Sequence, residues 1–214
     1  MNATIGYEET IQMLRGAAAQ IRENHEMLSK LDSVGGDGDH GTTMLRAMTI
    51  LEKAIDSCAS NDVKSILNDV GWAIMGVDGG ATGPLFGTLF MSMAEGLGDN
   101  TTMDAPVLLA AFASGLSGVQ AQTKAKVGDK TMLDALVPAI DALRVAVEGG
   151  ANVVDALRAA AEGAGQGAAS TKDLQARFGR AKNIKEQSIG TQDPGATSVS
   201  LIFRGFWKGV ESHA

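Results

Sequence analysis

The sequence predicts an all-α protein of about eight amphipathic helices in a single domain, residues 1–214. Three observations predict it. Apolar residues recur at helical spacing in one segment after another. No segment alternates apolar and polar residues between hairpin turns. Hydrophobic residues make up 44% of the chain and aromatics 4%, so a core must be built from Ala, Leu, Ile, Val and ten Met. That supply suits helices packed through small residues better than a β-sandwich.

The elements follow in order, each to about two residues at its ends. Helix 5–29 carries Ile11, Leu14, Ala18, Ile21 and Leu28 on one stripe. Helix 41–58 repeats the pattern with Met44, Met48, Leu51 and Ile55, while Arg46, Lys53 and Asp56 lie off it. Helices 62–77 and 83–96 flank a glycine-rich turn, and Pro84 suits the first turn of the second. Helix 104–122 covers an uncharged stretch from Ala105 to Thr123, long enough to raise the question of a membrane span. Ser114, Gly115, Ser117, Gly118, Gln120 and Gln122 interrupt it, which reads as a buried small-residue helix and not as a membrane segment. Helix 131–148 buries Met132, Leu133, Leu136, Val137, Ile140, Leu143 and Val147 opposite Asp134, Asp141, Arg144 and Glu148, and Pro138 predicts a kink or one lost hydrogen bond within it. Val153, Leu157, Ala161, Ala164 and Ala168 define helix 152–169, and 194–211 is the last. The segment before it, about 177–193, reads as a long loop that is basic at its start.

Charge and composition narrow the function. The net charge is −7, which argues against nucleic-acid binding, because that needs a basic surface to displace counterions. An anionic ligand would then arrive with a metal ion. One cysteine, Cys58, leaves no disulfide framework. The start, MNATIGYEETIQ, has neither the basic stretch nor the apolar run of a signal peptide, so a soluble cytoplasmic protein is expected.

Four stretches carry chemistry. LDSVGGDGDHGTTM, residues 31–44, places Asp32, Asp37 and Asp39 among Gly35, Gly36, Gly38 and Gly41. An acidic turn in which Asp caps the next helix is the plain reading. Three carboxylates in a loop that glycine lets bend favour a metal site, and hard oxygen ligands point to Mg²⁺ before Zn²⁺. Gly36, Gly38 and Gly41 spell G-x-G-x-x-G, but a helix precedes them and bare aspartates would repel a pyrophosphate. An EF-hand loop fails because its sixth and twelfth positions would be Thr42 and Met48. GVDGGATGPLFG, residues 76–87, is either an anion-binding helix start or close packing through glycine. KVGDKTM, residues 126–132, is not a Walker A loop, and Thr131 reads as a helix cap. In residues 176–198 a basic cluster of Arg177, Arg180, Lys182 and Lys185 is either a solvated loop or a face for phosphates. Of the three histidines, His25 falls on a helix, His213 in the tail, and His40 alone lies in a motif.

In this order and spacing, GDGDHGTTM, GGATGPLFGTLF, GDKTMLDALVPAI and GRA…SIGTQDPGATS closely resemble the L subunit of dihydroxyacetone kinase, over nearly the whole chain. The resemblance implies antiparallel amphipathic helices closed into a barrel, with a nucleotide and two Mg²⁺ ions at one end. It implies that Asp32, Asp37 and Asp39 hold the ions, and that His40, Gly41, Thr42, Thr43, Ala81 and Thr82 line the phosphates. Met132, Arg180 and the turn Asp193-Pro194-Gly195 would meet the adenosine part. Thr43 stands where the family often has Asn, Thr82 where Ser is usual, and Thr123 in place of a glycine.

The same resemblance implies an ADP- or ATP-binding phosphotransferase subunit that is inactive alone. Its ketose would sit on a separate K subunit, bound through a histidine adduct, and its phosphoryl donor would be ATP or a phosphotransferase-system M subunit. A homodimer or a heteromeric complex is expected. A kinase for a longer ketose such as erythrulose would share every motif, because substrate choice lies on the partner. A fatty-acid kinase domain would have Thr in place of His40 and further domains after it. A nucleotide-loaded regulator of a transcription factor is the non-enzyme alternative.

Overall fold

The structure, a computed structural model, describes residues 4–212. Among these residues eight α-helices follow one another: α1 (Tyr7–Asp32), α2 (His40–Ser57), α3 (Val63–Met75), α4 (Thr82–Gly96), α5 (Ala105–Gln122), α6 (Leu133–Glu148), α7 (Val153–Ser170) and α8 (Pro194–Glu211). Each helix packs on the next in sequence, and α8 packs extensively on α1, so the succession returns to its start. Connections between the first seven helices are short, which makes sequence neighbours antiparallel.

Where the sequence leads to helix from residue 5, the chain first makes a small ladder. β1 (Thr4–Ile5) pairs antiparallel with β2 (Met103–Asp104), Ile5 opposite Met103. Ile5 and Met103 are both fully buried, so the ladder ties the start of α1 to the start of α5 through apolar contact as well as backbone bonds. The segment read as a loop at 177–193 contains a 3-10 helix, Arg180–Ser188, broken at Lys185, whose φ of 50° interrupts the helical path. A second 3-10 turn, Thr171–Asp173, extends α7. Pro138 lies inside α6 without ending it.

Small residues let the helices approach closely, as the composition implies. A Cβ on Gly205 of α8 would overlap the backbone of Ala17 and Gly16 in α1. A Cβ on Gly167 of α7 would overlap the Asp134 carbonyl of α6. The few aromatics are gathered at the centre: Phe112 lies with its ring centroid 5.3 Å from Phe203 and 5.8 Å from Phe206, and Phe90 reaches Phe206 at 6.3 Å. All four are almost wholly buried, each contributing about 2–3 kcal/mol by removal from water. Among the described residues no helix is long and apolar enough to cross a membrane.

Candidate functional site

Antiparallel order brings the starts of α2, α4, α6 and α8 to the same end, together with the C-terminal ends of α1 and α5. There they enclose a cavity of about 360 Å³, closed on one side by the 3-10 segment. Capping differs with position. Glu9 bonds back to the Gly6 N–H at α1, and Asp62, Asp104, Asn152 and Asp193 cap α3, α5, α7 and α8 through side-chain acceptors. At α2, α4 and α6 the N-cap residue makes no such bond with its own side chain, although Asp32 takes the His40 N–H at α2 and Thr131 Oγ1 the Leu133 N–H at α6. Those three starts turn the positive end of the helix dipole toward the cavity, an arrangement that favours an anion.

Against them stands the acidic cluster. Asp32, the last residue of α1, and Asp37 and Asp39 in the following turn each place one carboxylate oxygen within 4.8 Å of the others. The turn closes through Gly36 N–H donating to the Asp32 carbonyl at 2.6 Å, and Gly38 takes φ +77°, which glycine adopts without strain. Asp39 occupies the N-cap position of α2, yet its side chain makes no capping bond, so the plain capping reading fails for it. Asp32 Oδ2 accepts a long bond of 3.3 Å from the His40 N–H. Asp37 pairs with Arg180 across the cavity mouth. Desolvation works upward on the Asp37 carboxyl, but the Arg180 bond and charge and a bond with Asp39 hold it below the ordinary carboxylate range. The donor set is three hard oxygens that converge from one turn, which fits a divalent ion of the Mg²⁺ type.

His40 faces the cavity but its ring is committed to the fold. Nε2 lies 2.8 Å from the Ser198 hydroxyl, and the Pro194 carbonyl engages the ring as well. The pairing suits the Nδ1–H tautomer, with Nε2 accepting from Ser198. Burial pushes the imidazole below its usual pKa, against the pull of Asp32, the Pro194 carbonyl and Asp39. It joins the start of α2 to the start of α8.

Thr43, Ala81 and Thr82 line the cavity, and so do Met132, Arg180, Asp193, Pro194 and Gly195. Gly41 and Thr42 do not. Gly41 is pressed against the His25 backbone of α1, where any Cβ would collide, and Thr42 points to solvent. The glycine-rich turn shows the close packing that the sequence leaves open as one of its two readings. Gly83 and Gly87 pack against backbone, Gly87 with its Cβ direction 2.9 Å from the Gly71 carbonyl. Gly79, at φ +132°, seats the turn on Thr43, where a Cβ would lie 2.7 Å from Oγ1.

The wall also holds residues that sequence reasoning did not single out: Phe178, Ile184, Ala125, Lys130 and the unassigned Thr123. Phe178 and Ile184 form an apolar side in a segment read for its charges. Thr131 does cap the start of α6, its Oγ1 accepting from Leu133 N–H at 3.3 Å, and Asp134 answers by accepting from Thr131 N–H at 2.7 Å and Gly128 N–H at 2.5 Å, folding the loop back over the helix start. Asp193 accepts from Ala196 N–H at 2.7 Å, and its carboxyl is pushed up to about 7, first by desolvation, with Asp134 adding and Lys130 opposing. His25 bonds its own helix, Nδ1 to the Arg22 carbonyl at 2.8 Å, and His213 lies outside the described residues.

Comparison with known proteins bears on the family and the fold. The chain is 36% identical over 90% of its length to the "PEP-dependent dihydroxyacetone kinase 1, ADP-binding subunit DhaL" of Listeria innocua, covering 91% of that protein. It is 40% identical over 84% of its length to the "PEP-dependent dihydroxyacetone kinase, ADP-binding subunit DhaL" of Escherichia coli, covering 85% of it. The fold resembles the native crystal structure of the dihydroxyacetone kinase of C. freundii with a TM-score of 0.73 at 23% identity, over 97% of this chain and 36% of that one. Residues 34–208 match the DAK2 domain, a span that takes in all four motifs apart from Asp32. With that match and relatives of this identity along nearly the whole chain, the protein belongs to the DAK2 domain family.

Proposed function

We propose that this chain is the nucleotide-binding subunit of a dihydroxyacetone kinase, a single domain that positions a phosphoryl group for transfer to a short ketose held on a separate K subunit. One observation carries the reading: three convergent carboxylates and the dipole-positive starts of α2, α4 and α6, whose N-cap residues make no side-chain cap bond, share one cavity of about 360 Å³. That pairing suits a magnesium–polyphosphate and neither of its components alone.

Asp32, Asp37 and Asp39 would hold the ions, two of them in this reading, with ADP or ATP as the nucleotide. Magnesium bound there would supply charge neutralisation for phosphoryl transfer. The chain's own residues do the rest. The start of α4 and the hydroxyls of Thr43 and Thr82 would orient the phosphate oxygens. Arg180 leaves Asp37 for the nucleotide when the carboxylate takes its ion. Met132, Phe178 and Ile184 offer the apolar surface that an adenine ring needs. Neither histidine among the described residues is placed to form a ketose adduct, since His40 is held by Ser198 and His25 by its own helix. This supports a ketose site on a partner. In the same reading the phosphoryl donor is ATP or a phosphotransferase-system M subunit, and the setting is cytoplasmic.

The test is calorimetry of Mg·ADP binding to the parent and to the Asp37→Ala/Asp39→Ala double variant, followed by ketose phosphorylation with and without a K subunit. The parent should bind and the variant should not. Equal binding by both, or robust ketose turnover by the isolated chain, would overturn the proposal.

A further inference from the structure

Lys130 is buried, 4% exposed, and faces no carboxylate at hydrogen-bond distance. Its ammonium instead donates to four main-chain carbonyls: Thr171 at 2.8 Å, Leu174 at 3.2 Å, Ser188 at 2.7 Å and Thr191 at 2.6 Å. An ammonium has three protons, so four oxygens around it form a cage and not a set of matched bonds. Carbonyl oxygens at such distances are the environment that replaces the hydration shell of potassium. The backbone supports this placement at a cost. Lys130 adopts φ +61°, a left-handed conformation that side chains other than glycine rarely take. Burial lowers the lysine pKa, against Asp193, Asp134 and Asp173, which keep the charge favoured.

The four carbonyls come from the two ends of one excursion, two just after α7 and two just before α8. Between them the chain carries Phe178, Arg180 and Ile184, all in the cavity wall, and Asp193 follows directly. Other ties hold the same excursion: Gly190 N–H to the Lys172 carbonyl at 2.8 Å, Asp193 N–H to Thr171 Oγ1 at 2.9 Å, and Arg177 N–H to the Asp129 carbonyl at 3.1 Å. Lys130 is the charge at their centre.

We propose that Lys130 is a positioning residue, a monovalent cation built into the chain, around which residues 171–191 wrap to form the wall that receives the nucleoside half of the ligand. This rests on the nucleotide reading given above. It assigns the acidic turn to the metal and phosphates and the Lys130 cage to the nucleoside, so the two halves of the ligand can be weakened separately.

The experiment compares the parent, Lys130→Met and Lys130→Gly by calorimetry with Mg·ADP and with Mg·pyrophosphate, and by hydrogen exchange over residues 171–193. Lys130→Met should bind Mg·ADP on the order of tenfold less tightly or worse, with Mg·pyrophosphate changed by about twofold at most. Residues 171–193 should lose protection. In Lys130→Gly the backbone strain is relieved and the cage is vacated, so ammonium or potassium chloride should restore protection and Mg·ADP affinity where sodium chloride at equal ionic strength does not. Three results each overturn the proposal: parental Mg·ADP affinity in Lys130→Met, equal loss for Mg·ADP and Mg·pyrophosphate, or no difference between ammonium and sodium in Lys130→Gly. If Lys130→Met does not fold, the glycine variant in ammonium decides by the last criterion. A parent chain that binds no Mg·ADP would refute the nucleotide reading instead, and the exchange and cation arms would still report on Lys130.

Discussion

Replacing Asp193 by Asn should change how stability depends on pH. The carboxyl caps α8 through Ala196 N–H and lies at the cavity wall with its pKa pushed up to about 7, chiefly by desolvation. In the unfolded chain the same group titrates near 3.9, by about the usual value for Asp. Between these values the folded chain holds a proton that the unfolded chain has lost. The group's contribution is therefore fully present below about pH 4 and is lost as pH rises through about 7. Across its whole titration that amounts to at most about 4 kcal/mol, of which about 2.5 kcal/mol falls between pH 5 and pH 8. Asp193 keeps part of its surface in water, so solvent screening reduces the expected change to about 1–2 kcal/mol. Asn retains the capping oxygen and cannot ionise. Urea unfolding of parent and Asp193→Asn at pH 5, 6, 7 and 8, without nucleotide, isolates the group, because every other titration cancels in the difference. The variant should gain on the parent as pH rises. Parallel stability curves would show that the carboxyl titrates normally and that the wall around it is wet.

Asp32→Asn or Asp39→Asn should each lower Mg·ADP affinity by about tenfold or more through loss of a hard anionic ligand, read by calorimetry at fixed magnesium. EDTA should abolish nucleotide binding by the parent, and adenosine should bind far more weakly than Mg·ADP in the same titration. Gly205→Ala forces a Cβ into the α1 backbone and should cost about 2 kcal/mol or more by thermal melting, whereas Gly165→Ala in α7 meets open space and should stabilise by about 0.5–1 kcal/mol.

The helices are legible because each buries one stripe in a common core, and that stripe marks both length and direction. Predicted 41–58 and 194–211 compare with His40–Ser57 and Pro194–Glu211 for this reason. The ladder of Thr4–Ile5 with Met103–Asp104 is not legible, because two residues per strand cannot show alternation and their partner lies far along the chain. The 3-10 helix at Arg180–Ser188 is hidden by its polar sequence, which lacks a buried stripe, and by the break at Lys185. The acidic turn stands out because three carboxylates are improbable without a purpose. Lys130 does not, since lysine normally signals solvent, and only the convergence of distant carbonyls reveals that it is buried. Gly41 belongs to the motif in sequence but to the α1–α2 contact in space.

The cavity has both signs of charge, and this explains how a chain of net charge −7 can hold a polyphosphate. A free phosphate meeting the Asp32, Asp37 and Asp39 oxygens is repelled by them. A free magnesium ion finds three ligands but also faces the positive starts of α2, α4 and α6. Each component alone satisfies one half of the site and opposes the other. In the proposed reading their complex would place the cation on the carboxylates and the phosphate oxygens toward the helix starts, so that each charge meets its opposite. At α4 no side chain takes the first-turn amides, and in the proposed reading this leaves them to the phosphates, whereas α3, α5 and α7 are capped by their own N-cap side chains. At α8 Asp193 caps the helix at the cavity wall, on the side that the proposed reading gives to the nucleoside, where no phosphate would compete for the amides.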